Sequence, residues 1–151
     1  MQAYVSGALH SVSNLEKARA FYLSLAKVCE ESGLLPYVPH QYTDPVFHQK
    51  LSHDSVFERD YNALRASDIV IAYIGQPSLG VGAEIAIAFE RRIPVIAVYQ
   101  DGENPSRFIL GMLNNSEICQ TIRYKDEEDC KVLLRNALVM SKIDSTLQAN
   151  K

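Results

Sequence analysis

The sequence predicts an α/β protein with a doubly wound, five-stranded parallel sheet and helices on both faces. Three observations predict it. Short apolar runs alternate with stretches in which apolar residues recur at i, i+3, i+4 and i+7, the mark of strands interleaved with amphipathic helices. Two of the runs, residues 68–74 (Asp-Ile-Val-Ile-Ala-Tyr-Ile) and 93–99 (Ile-Pro-Val-Ile-Ala-Val-Tyr), are apolar nearly throughout, as strands covered on both faces are. The 151 residues, 47% apolar and 22% charged, suffice for one compact domain and fall short of two.

Each element has its own signal. Residues 3–7 read as the first strand. Ser13 and Glu16 have capping-box spacing, and Ala18, Phe21, Tyr22, Leu25, Val28 and Cys29 form one apolar helical stripe that Gly33 ends. Residues 34–38 are a short strand weakened by Pro36. Residues 39–54 are irregular and carry His40, His48 and His53, a loop of a length that is often functional. Ser55 and Glu58 have the spacing of a second capping box, opening a helix with Asp60, Tyr61 and Leu64. After the strand at 68–74 comes a Gly/Pro/Ser loop, 76–82, and then a helix over 84–92. The strand at 93–99 is followed by a short helix at 106–113, a fifth strand at 118–124 and a final helix at 126–140 with acidic residues in its first turn. Residues 1–140 thus read as one domain, and 141–151 as a polar, frayed tail. Right-handed crossovers give the expected strand order 2-1-3-4-5, a flavodoxin- or Rossmann-like sheet. Ligands bind such sheets at the carboxyl ends of the strands, which singles out residues 7–11, 75–84 and 100–106.

Composition narrows the function. Fifteen basic against 18 acidic residues leave a net charge of −3, which offers no electrostatic footprint for nucleic acid or an anionic membrane. No apolar run approaches the ~18 residues that span a bilayer. The three cysteines, at 29, 119 and 130, match no zinc spacing, and the start has no basic segment followed by an apolar one. A reduced, cytoplasmic protein is expected, with the cysteines as packing residues. His, Cys and carboxylate residues show no metal spacing, and no cofactor is expected.

The densest chemical signal is Gln76-Pro-Ser-Leu-Gly-Val-Gly-Ala-Glu84, between a buried strand and a helix. Gly80 and Gly82 let the backbone approach a ligand, and helix-start amides can face an anion. Glu84 stands in the expected first turn, where a helix dipole alone would also favour it. There is no Gly-Lys-Ser/Thr and no Gly-x-Gly-x-x-Gly, so neither a P-loop nor a dinucleotide site is present.

This string resembles the nucleoside 2-deoxyribosyltransferase superfamily, and within it the 2′-deoxynucleoside 5′-phosphate N-hydrolases. Asp60 in Arg-Asp-Tyr-Asn-Ala-Leu-Arg-Ala-Ser-Asp68, Tyr4 in Tyr-Val-Ser-Gly7, and Ser106 in Ser-Arg-Phe-Ile-Leu-Gly111 match further family segments in the right order, over roughly residues 3 to 112. The resemblance implies a nucleotide N-glycosidase. Glu84 would be the nucleophile at the anomeric carbon, Asp60 the partner carboxylate, and Tyr4 the residue that orients Glu84, unless Tyr4 is only a buried strand tyrosine. Ser78 would donate to a 5′-phosphate with the amides of Gly80 and Gly82, since a neutral serine stands where the transferase branch carries an aspartate. Ser106 would reach the phosphate of a neighbouring subunit in a homodimer, or cap the helix that follows it, or both. His40 would contact the base, or stand as a solvated loop residue; His48 and His53 are expected at the surface.

The first loop departs from the family's Gly-Ser-x-Arg-Gly. Here it reads Gly7-Ala-Leu-His-Ser11, so His10 replaces a fixed cation with one charged only when protonated. The reading is hydrolysis of a (2′-deoxy)nucleoside 5′-monophosphate to free base and sugar phosphate. A deoxyribosyltransferase and a catalytically silent nucleotide-binding module are the alternatives. A response-regulator or flavodoxin relative is disfavoured, because Ile74 leads into Gly75 and Gln76 with no phospho-acceptor aspartate.

Overall fold

The computed structural model describes residues 1–10 and 12–149, with side chains to residue 140. Strands β1 (Gln2–Ser6), β2 (Leu35–Tyr37), β3 (Ile69–Tyr73), β4 (Val95–Gln100) and β5 (Gln120–Tyr124) alternate with helices α1 (Leu15–Glu31), α2 (His40–Thr43), α3 (His53–Ala66), α4 (Leu79–Glu90), α5 (Arg107–Asn114) and α6 (Glu127–Ala149). All strand pairs are parallel and the order is β2-β1-β3-β4-β5, as expected.

Successive strand residues point to opposite faces, so the sheet carries two cores. Val5, Ile71 and Val98 pack against Tyr22 and Leu25 of α1 and Leu134 and Leu138 of α6. Tyr4, Val70 and Ala97 face the other way, toward Leu64 of α3, Val81 and Ile85 of α4 and Leu113 of α5. That alternation decides where chemistry can occur, because Tyr4 points into the α3–α4 layer. Cys29 and Cys130 lie in the α1–α6 core, where burial pushes both thiols up to about 12. They are inert packing residues there.

Several boundaries differ from the sequence reading. Helix α4 begins at Leu79, five residues before the expected start. Gly80 and Gly82 are therefore helical, and Glu84 lies beyond the first turn. Each glycine costs about 1 kcal/mol relative to alanine. The Ser78 cap, whose Oγ accepts from the Val81 amide at 3.3 Å, and the packing of Val81, Ile85 and Ala88 on the sheet offset that cost. Helix α1 is capped by Asn14 rather than Ser13, and α3 by Ser52 rather than Ser55. The irregular segment contains the short helix α2. Helix α6 continues past Met140 to Ala149; the last two residues of the expected tail, and Ser11 of the first loop, lie outside the described residues. Among the described residues no cluster of His, Cys, Asp and Glu could hold a metal, and no helix is long and apolar enough to cross a membrane.

Candidate active site

Tyr4 and Ser6 are two apart on β1 and so share a face. Both hydroxyls donate to Glu84 from α4: Tyr4 to Oε1 at 2.7 Å and Ser6 to Oε2 at 2.5 Å. Burial pushes the Glu84 carboxyl up to about 7, against the two hydroxyls, which favour the anion, and with the negative Asp60 adding to the rise. Near neutrality a large fraction of Glu84 is therefore an oriented carboxylate. Burial, and then Glu84 and Asp60, push the Tyr4 hydroxyl far above the usual tyrosine range, so it stays a donor.

Asp60, on α3, has its own pair of hydroxyls. Tyr37 donates to Oδ1 at 2.9 Å and Thr43 lies 2.8 Å from Oδ2. Burial holds its carboxyl above the usual aspartate range, while Thr43, Tyr37 and Arg59 pull the other way. The Tyr37 ring stacks on Tyr4 at 5.6 Å between centroids and on Tyr42 at 4.7 Å. Two adjacent, stacked tyrosines thus hold the two carboxylates, one each. If Tyr37 stabilises ionised Asp60, Tyr37→Phe keeps the stack and loses the donor. Such a bond is worth ~1.5–3 kcal/mol, and the Asp60 pKa is expected to rise by roughly one pH unit or more. Carbon-13 NMR titration of the carboxyl reads this directly, and an unchanged titration would refute the role.

Glu84 and Asp60 open onto one cleft of about 480 Å³. Gly7, His10, Ser78 and Gly80 line it as well, so six of the expected site residues meet there. Gly7 is required by close approach: a Cβ would stand 2.2 Å from the Tyr22 ring, whose hydroxyl donates to the Ala8 carbonyl at 2.9 Å. Gly82 and Ser106 instead line a smaller hollow of about 160 Å³, with Ser78 on the border between the two. Ser106 does cap α5, accepting from the Ile109 amide. His40 is buried, its ring 6.2 Å from that of Tyr22, and it does not line the cleft. Burial keeps its imidazole below the usual histidine range; Asp44 opposes this and Arg19 adds to it.

Sequence reasoning passed over Ser6, Tyr37, Thr43 and His48. Ser6 was recoverable, since it shares a strand face with Tyr4. The other three meet the site only through the fold. His48 and His53 were expected at the surface; both line the cleft, His53 exposed and His48 half-buried. The wall that carries His48 is anchored by Asp44. Arg19 donates to it from Nε and Nη2, each at 2.7 Å, and the Val46 and Phe47 amides donate to Oδ1. Burial raises the Asp44 carboxyl, but these four donors outweigh it and hold the group below its ordinary range. The Arg19 guanidinium also lies over the Phe47 ring, 4.5 Å from its centroid.

The fold is a parallel α/β sheet that carries two carboxylates, each held by a pair of hydroxyls, on one cleft. The profile of the nucleoside 2-deoxyribosyltransferase family matches residues 4–132, and the chain belongs to that family. It is 37% identical over 86 residues to the "Putative 2′-deoxynucleoside 5′-phosphate N-hydrolase 1" of Syntrophotalea carbinolica, covering 56% of this chain and 58% of that one. It is also 37% identical over 75 residues to the 5-hydroxymethyl-dUMP N-hydrolase of Mus musculus, covering 48% of this chain and 43% of that one. The chain thus spans about half the length of these relatives. Among solved structures, the CMP N-glycosidase of Clostridium botulinum superposes with a TM-score of 0.63 at 22% identity, covering 89% of this chain and 98% of that one. At that identity the likeness shows the fold.

Proposed function

We propose that the protein hydrolyses the N-glycosidic bond of a (2′-deoxy)nucleoside 5′-monophosphate, releasing the free base and the sugar 5-phosphate in the cytosol. The observation that carries this is the Glu84 carboxylate, clamped by Tyr4 and Ser6 in a cleft it shares with Asp60. Glu84 attacks C1′, forming a C–O bond as the C1′–N bond breaks and its electron pair leaves with the base. Asp60, or water beside it, supplies the proton the base needs. Water then attacks C1′ of the glycosyl ester, Asp60 takes its proton, and Glu84 is regenerated. The names of the hydrolase relatives support this chemistry.

The phosphate is assigned to the end of the cleft formed by Gly7, His10, Ser78 and Gly80. The Ser78 oxygen accepts from the Val81 amide as a cap, which leaves its O–H free to donate, and the Leu79 and Gly80 amides precede the first helical bond, whereas the Gly82 amide expected at the phosphate already donates to the Ser78 carbonyl at 3.1 Å. Ser106 lies in the neighbouring hollow, so its phosphate role belongs to a homodimer in which it enters the other subunit's site. Leu79 is 96% exposed and Phe108 76% exposed at the adjoining ends of α4 and α5, an apolar surface that a second copy would cover.

The test is a panel of nucleosides and nucleoside 5′-monophosphates assayed for free base by chromatography, with and without an acceptor base. Monophosphates are expected to release base and nucleosides to be poor substrates. Equal turnover of both would overturn the phosphate assignment. A new nucleoside formed in preference to hydrolysis would make the protein a transferase. No release from any compound would overturn the enzyme reading.

A further inference from the structure

The two walls of the cleft differ in character. The wall built by the segment between β2 and α3, together with α3, carries Pro39, Pro45 and Leu51 from the segment and Phe57 from the helix, flat or apolar groups suited to a planar ring. His48 stands among them. Its Nδ1 is buried and has no hydrogen-bond partner. A buried polar atom without a partner is uncommon in a native structure and calls for an explanation. An orphaned acceptor costs less than an orphaned N–H, so the ring proton belongs on Nε2, which is not among the buried unpartnered atoms of the described residues. The backbone at this point is held on both sides. The His48 amide donates to the Asp44 carbonyl at 2.9 Å and its carbonyl accepts from the Leu51 amide at 3.0 Å, with Asp44 itself pinned by Arg19. The imidazole is therefore presented to the cleft by a fixed turn.

We propose that His48 is a specificity-determining residue, donating from Nε2 to a ring nitrogen or carbonyl oxygen on the nucleobase of the bound monophosphate. This rests on the nucleotide reading of the cleft. It places the base against the α2–α3 wall, the sugar between Glu84 and Asp60, and the phosphate at the start of α4. Of the three parts of the ligand, His48 touches the base alone.

That last property supplies the test. Binding of the four 2′-deoxynucleoside 5′-monophosphates and of 2-deoxyribose 5-phosphate is measured by calorimetry in a Glu84→Gln background, so that nothing is consumed. The same ligands are then measured with His48→Leu and His48→Gln added. With His48→Leu, the best-bound nucleotide is expected to weaken at least tenfold, and 2-deoxyribose 5-phosphate to change less than twofold. His48→Gln keeps a donor and should recover part of the loss. An equal loss for both ligands would place His48 in sugar-phosphate binding or in the fold, and no loss for either would place it outside recognition; each result overturns the proposal. If the Glu84→Gln protein binds 2-deoxyribose 5-phosphate but gains nothing from an attached base, the nucleotide reading stands and the base contact falls. If it binds none of the ligands, both readings fall together.

Discussion

Glu84→Gln is expected to lower turnover of nucleoside monophosphates at least ~10³-fold, the scale on which an essential catalytic group acts. The substitution keeps the side chain's shape and removes the attacking anion. The protein should remain folded, because the carboxylate contributes to the site and not to either core. The pH dependence has a definite sign. Attack requires ionised Glu84, whose carboxyl sits at about 7, so the acid limb of kcat/KM should rise as pH increases through that value. Ser6→Ala removes one donor that favours the anion and should move this limb to higher pH. A Glu84→Gln protein with more than a tenth of wild-type turnover would end the assignment of Glu84 as nucleophile.

The second large effect is on stability. Asp44 is fully buried and its partner Arg19 only 14% exposed. Removing one member of a buried ion pair leaves the other charge without compensation, at a cost of ~3–5 kcal/mol. Asp44→Ala should cost that much in urea unfolding, since it also strips the Val46 and Phe47 amides of their acceptor. The carboxyl's pKa in the folded protein lies below its value in the unfolded chain, near ~3.9. Its contribution is therefore complete above that value and is lost as pH falls through the lower folded one. The wild-type and Asp44→Ala stabilities should converge in strong acid. A loss of under ~1 kcal/mol at neutral pH would show that Arg19 and Asp44 do not anchor this wall.

Much of the molecule was written in local pattern. The apolar runs and the i, i+3, i+4 stripe specify strands, helices and their alternation, and handed crossovers reduce the possible topologies to few. Strand order followed from these alone. Tyr4, Asp60 and Glu84 were singled out by the resemblance of their short segments to the nucleoside 2-deoxyribosyltransferase family, and not by periodicity. Helix α4 shows where local pattern misleads. Its glycines read as a loop, and the Ser78 cap with the burial of Val81 and Ile85 against the sheet made them helical.

What the tertiary structure decided is which groups meet. Tyr37 and Asp60 are 23 residues apart, Arg19 and Asp44 25, and Tyr4 and Glu84 80. No periodicity records such pairs, because they form only when the sheet and its helices close. The sequence determined the fold class and singled out Tyr4, Asp60 and Glu84 as the residues proposed to carry the chemistry. The fold decided their protonation and their partners, since burial, stacking and hydrogen bonding depend on neighbours in space. It raised Glu84 toward neutrality, set Tyr37 and Thr43 on Asp60, moved His48 from the expected surface into the cleft wall, and set Ser106 on the smaller hollow beside that cleft.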